Sequence, residues 1–74
     1  MNLASKMNAR FRISRRGVPH IVKSVPKRHD YSICFLGKNS IWRVFYPYTI
    51  PNDVQQKWDF KSESEVISFF ECLS

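Results

Sequence analysis

The sequence predicts an α+β domain: a three- to four-stranded antiparallel β-sheet with one C-terminal α-helix packed on one face. Two stretches lead to that class. Asp30 to Tyr48, DYSICFLGKNSIWRVFYPY, holds two runs of β-branched and aromatic residues on either side of a glycine turn. Val66, Phe69, Phe70 and Leu73 fall at i, i+3, i+4 and i+7, which is the apolar stripe of a helix, and Ile67 widens it.

Taken in order, Met1 to Ala9 is polar and weakly patterned, so it is read as a mobile arm or a short helix that docks late. From Arg10 to Ser14 the alternation places Phe11 and Ile13 inward and Arg10 and Arg12 outward on a strand. Arg15-Arg16-Gly17 turns the chain. Val18 to Val25 returns as an optional second strand, and Pro19 and Pro26 confine it to an edge because neither can donate to a ladder. Lys27 to Asp30 is a polar connection into the central hairpin.

Within that hairpin, Gly37-Lys38 suits a two-residue type II′ loop, which needs positive φ at its first central residue. Leu36 then faces Asn39, Phe35 faces Ser40, Ile33 faces Trp42 and Tyr31 faces Val44. Tyr31, Ile33, Phe35, Trp42, Val44 and Tyr46 share one apolar face, and Ser32, Cys34, Leu36, Ile41, Arg43 and Phe45 share a mixed one. A four-residue loop would keep both faces. Pro47 and Pro51 end regular pairing, and Pro51 to Gln56 reads as a loop with one helical turn at Asn52 or Asp53. Lys57 to Phe60 is a last strand with Trp58 and Phe60 on one side. Ser62 and Glu65 form an S-x-x-E capping box, so the helix starts near Glu63, where acidic residues meet the positive end of its dipole.

One domain accounts for all 74 residues. At that size a single core contributes little net stability, and an aromatic fraction of 15% points to dense ring packing as the remedy. Cys34 and Cys72 read as free thiols of a reducing compartment, with a sheet-to-helix bridge as the alternative. No apolar run reaches membrane-spanning length and no signal-peptide pattern opens the chain, which leads to a cytoplasmic expectation.

Charge carries the functional reading. Residues 1 to 29 hold eight cations (Lys6, Arg10, Arg12, Arg15, Arg16, Lys23, Lys27, Arg28) and no acid, whereas the remainder sets four cations against six acids. Such polarity suits a surface that meets phosphates. The plain alternative is a solvated strand edge whose cations prevent pairing with another chain. Arg43 with Phe45 can read or stack on a base, or Phe45 can pack under the N-terminal strands. Tyr48, beside Pro47, is a candidate partner contact. His20, His29, Cys34 and Cys72 lack metal-site spacing, His29-Asp30 is a sequence neighbour pair rather than a dyad, and no nucleophile or phosphate-loop motif is present. No cofactor, metal or enzymatic activity is therefore expected.

The strand IWRVFY followed by KWDFKSESEVISFF resembles the arm-type DNA-binding domain of tyrosine recombinases and the related plant ethylene-response-factor domain. Trp42, Arg43 and Val44, then Phe60, Lys61, Ser62 and Glu65, carry the likeness over about the second half of the chain. It implies a sheet backed by a helix, with the outer sheet face laid in the major groove of duplex DNA. The functional expectation is a small basic nucleic-acid-binding protein of regulatory or accessory type, with DNA favoured over RNA. Arg10, Arg12, Arg15, Arg16, Lys23, Lys27, Arg28 and Arg43 would be its nucleic-acid contacts. The alternative is an interaction module or inhibitor docking its basic and aromatic surface, including Phe45 and Tyr48, on an acidic protein.

Overall fold

The computed structural model describes residues 3–48 and 54–73. In chain order these form α1 (Leu3–Met7), β1 (Arg10–Ile13), β2 (Pro19–Lys23), β3 (Tyr31–Leu36), β4 (Ile41–Tyr46), β5 (Gln56–Phe60) and α2 (Glu63–Leu73). The sheet is an open antiparallel meander of five strands in sequence order, not three or four. The added strand is β2, which lies inside the sheet between β1 and β3 rather than at an edge. Pro19 is tolerated because it is the first residue of β2, opposite Ile13 at the end of the ladder, and Pro26 falls beyond the strand. The turn expected at Asn52 or Asp53 lies outside the described residues.

The central hairpin closes over Gly37 to Ser40, with Leu36 opposite Ile41, so the two-residue loop is replaced by a four-residue one. Asn39 N donates to Leu36 O at 3.1 Å and Ser40 N to Gly37 O at 3.3 Å. Positive φ falls on Ser40, at 53°, instead of on Gly37. The partners change accordingly: Phe35 faces Trp42 and Ile33 faces Val44. Because the register moves by an even number of residues, both face assignments survive. β4 ends at the cis Tyr46–Pro47 peptide.

The apolar face meets side chains of both helices. Ile33 and Val44 are completely buried together with Val66 and Phe70 of α2 and Leu3, Ala4 and Met7 of α1. Tyr31 stacks at 4.3 Å between centroids on Tyr46 and meets Phe70 edge-on at 5.2 Å. The short-helix reading of the N-terminus thus holds for Leu3–Met7. Five residues cannot sustain a helix alone, and tertiary contacts supply the difference. Lys23 Nζ donates to Met7 O at 2.7 Å, and Lys6 pairs with Glu63 at 2.9 Å, joining α1 to β2 and to α2. At the start of α2, Ser62 Oγ accepts from Glu65 N, while the Glu65 carboxylate accepts from Lys61 N at 3.0 Å, one residue before the expected partner.

Phe11 and Ile13 correct a second expectation. They lie on the helix-facing side but are 57% and 65% exposed, since the buried cluster is centred on β2, β3 and β4 and leaves the β1 edge uncovered. Both cysteines are free; Cys34 sits on the outer sheet face opposite Arg43, with the sheet between it and Cys72 of α2. Burial pushes the Cys34 thiol pKa up, with the Ser32 hydrogen bond acting in the opposite sense. Among the described residues no helix is long and apolar enough to cross a membrane.

These placements separate core from surface along one chain. Phe70→Ala is expected to lower unfolding free energy by about 3–5 kcal/mol in urea melts, whereas Ile13→Thr changes it by less than about 0.5 kcal/mol. A large loss at Ile13 would return that residue to the core.

Candidate nucleic-acid interface

The turn from β1 to β2 is built to present two arginines. Ser14 N donates to Val18 O at 3.0 Å, Val18 N donates back to Ser14 Oγ at 3.1 Å, and Gly17 N donates to Ser14 O at 2.9 Å. Gly17 has φ of 82°, the left-handed conformation that closes a three-residue hairpin loop and that a Cβ would strain. Arg15 and Arg16 occupy the tip, exposed, with Arg12 just behind them on the outer side of β1.

An antiparallel meander brings alternate turns to the same end. The β1–β2 turn therefore shares its end with the β3–β4 turn, which carries Lys38, and with the β5–α2 junction, which carries Lys61. Two interstrand spacings, about 10 Å, separate the first pair of turns. Lys38 and Lys61 were not singled out by the sequence pattern, because they sit outside the basic run and only strand order brings them alongside it. Arg12, Arg15, Arg16, Lys38 and Lys61 have no ion-pair partner among the described residues.

The other candidates are dispersed or engaged. Lys27 and Arg28 belong to the β2–β3 connection at the opposite end of the sheet, roughly 15–20 Å away along the strands. Arg10 pairs with Asp30 at 3.1 Å, and Asp30 also accepts from Ser24 Oγ. Lys23 is held by the Met7 carbonyl. Arg43 grips Asp59 through two hydrogen bonds, at 2.7 and 3.1 Å, across the β4–β5 ladder. That bidentate contact raises the Arg43 pKa and holds the Asp59 carboxyl below its ordinary range, with desolvation opposing both shifts.

Phe45 is half-buried on the outer face, lining a shallow groove of about 180 Å³ with Ser32, Cys34, Tyr48 and Gln55. Tyr48 is 37% exposed but tied down: its N donates to Asp30 O at 2.8 Å and its hydroxyl lies 3.1 Å from His20 Nε2. Buried His20 also sits 3.1 Å from Val18 O through Nδ1, so one ring links the 48 segment to the arginine turn. No cluster of three or more His, Cys, Asp or Glu side chains capable of holding a metal ion occurs among the described residues. Compared with protein-family models, curated proteins and solved structures, the chain matches none.

Releasing Asp59 from Arg43 should be visible by titration. In Arg43→Gln the Asp59 carboxyl carbon, followed by NMR, is expected to titrate at higher pH than in the parent chain. A depressed folded-state pKa stabilises above the unfolded value and loses that contribution as pH falls through the folded one, so the variant also loses a pH dependence of stability below about pH 4. An unmoved midpoint would mean that the pair does not form in solution.

Proposed function

We propose that this chain is a small nucleic-acid-binding protein of regulatory or accessory type, with no reaction of its own. It grips phosphates at the end of the sheet carrying Arg12, Arg15, Arg16, Lys38 and Lys61. The observation that carries this reading is that those five cations, none in an ion pair with a described acid, lie along one end of the meander. Asp30, Asp59 and Glu63 are each held in an ion pair with a cation outside this set, and Glu65, at the β5–α2 junction, turns its carboxylate onto the Lys61 backbone N–H. Phosphate contacts of this kind supply affinity without base sequence information.

The remaining cations rank accordingly. Lys27 and Arg28 would touch only a ligand long enough to run the length of the sheet. Arg10, Lys23 and Arg43 act first as internal ties, and groove reading by the outer face would require Arg43 to leave Asp59. The preference for DNA over RNA rests on the resemblance to recombinase arm and ethylene-response-factor domains. A second reading, docking on an acidic protein, draws support from β1, an open edge strand beside uncovered Phe11 and Ile13.

Fluorescence anisotropy with a labelled oligonucleotide at several salt concentrations tests the choice. Affinity is expected to fall steeply with salt, and Arg15→Ala/Arg16→Ala/Lys38→Ala should flatten the log–log slope by about 0.7–0.9 for each phosphate that the variant no longer neutralises. Lys27→Ala/Arg28→Ala should change the slope far less. Absence of binding at low salt would reject the nucleic-acid reading, and a stoichiometric complex with an acidic protein would replace it.

A further inference from the structure

Beside the cationic end the helix-facing side of the sheet opens into an apolar cleft of about 430 Å³. Its volume lies within the roughly 300–1,000 Å³ usual for small-molecule sites. Phe11, Phe35 and Trp42 contribute aromatic walls, and Leu3, Ile21 and Ile33 contribute aliphatic ones. Phe35 packs on Trp42 at 4.9 Å between centroids, tilted by 55°, yet stays 52% exposed. Like Phe11, it belongs to the helix-facing side at a place that no other element covers, so its ring is open to a ligand.

Topology sets this cleft next to the cations. Phe35 is two residues before Gly37 on β3, so the loop carrying Lys38 begins beside it, and Pro19 at the cleft wall begins β2 directly after the Arg15-Arg16 turn. The acid at the cleft, Glu63, is paired with Lys6 at 2.9 Å and so presents no free carboxylate against an anionic ligand. Aromatic walls between positive loops match the two faces of an unstacked nucleotide: a flat π surface and a negative backbone.

Resting on the nucleic-acid reading, we infer that this cleft takes one base of a single-stranded nucleic acid against Phe35 and Trp42, while the flanking phosphates lie on Arg15, Arg16 and Lys38. A duplex must first unstack and unpair a base to deliver it into such a recess, a cost that a single strand largely avoids. The proposal therefore assigns single strands, not duplex, as the ligand class. Phe11 forms the wall on the β1 side.

The test compares three labelled ligands of equal length on the full chain at low salt: an oligothymidylate, an abasic oligonucleotide with the same phosphates, and a duplex. The oligothymidylate is expected to bind roughly 5- to 150-fold more tightly than the abasic strand, the usual span for one stacked base. Phe35→Ala, at a half-exposed position, should erase that ratio while leaving abasic binding unchanged; Phe11→Ala provides a second variant should the first disturb folding. Equal affinity for the base-bearing and abasic strands, with salt dependence retained, would overturn the base cleft and leave the phosphate grip standing. Tightest binding of duplex would overturn it too. Failure of every nucleic acid to bind would remove the underlying reading, and capture of an Asp- and Glu-rich peptide in their place would assign the cleft to an acidic protein segment.

Discussion

Ile33 and Val44 face each other across the β3–β4 ladder with no exposed surface, and the remaining structure is arranged to keep them so. Two aliphatic side chains at the centre of one sheet face leave a surface that water must be kept from, and a chain this short has little with which to cover it. Val66 and Phe70 come from the C-terminal side and Leu3, Ala4 and Met7 from the N-terminal side. Neither helix would persist alone in water, so sheet and helices are conditional on one another. The rings of Tyr31, Trp58 and Phe69 extend the covered area beyond what aliphatic side chains of equal number would reach.

Much of this was legible in local pattern. The period-two alternation from Tyr31 to Tyr46 specified both faces of the hairpin even though the loop length differed, because an even displacement preserves parity. The capping serine and the apolar stripe marked the start of α2 at Glu63. What local pattern could not supply was coverage. Phe11 and Ile13 alternate correctly yet remain exposed, since alternation names a face and says nothing about whether another element reaches it. Likewise Pro19 argued for an edge, and its place as the first residue of an interior strand depends on the long-range partner β3.

The candidate site separates along the same line. The charge asymmetry was visible in the sequence, but the acidic half folds back and engages part of the basic half: Asp30 with Arg10, and Glu63 with Lys6. Proximity in sequence grouped Arg15 and Arg16 with Lys27 and Arg28, whereas strand order places them at opposite ends and brings in Lys38 and Lys61 instead. Surface charge in a meander is sorted by the parity of the turns, and that parity needs every strand to be counted correctly.

Strand order also bears on how the chain reaches this state. Every ladder joins strands adjacent in sequence, so sheet formation requires only short loop closures, the regime associated with fast folding. The Lys6–Glu63 contact, by contrast, spans 57 residues. Seating Leu3, Ala4 and Met7 beside Val66 and Phe70 on one sheet face must wait for both ends of the chain, which makes the helix layer the natural place for the molecule to open first when stressed.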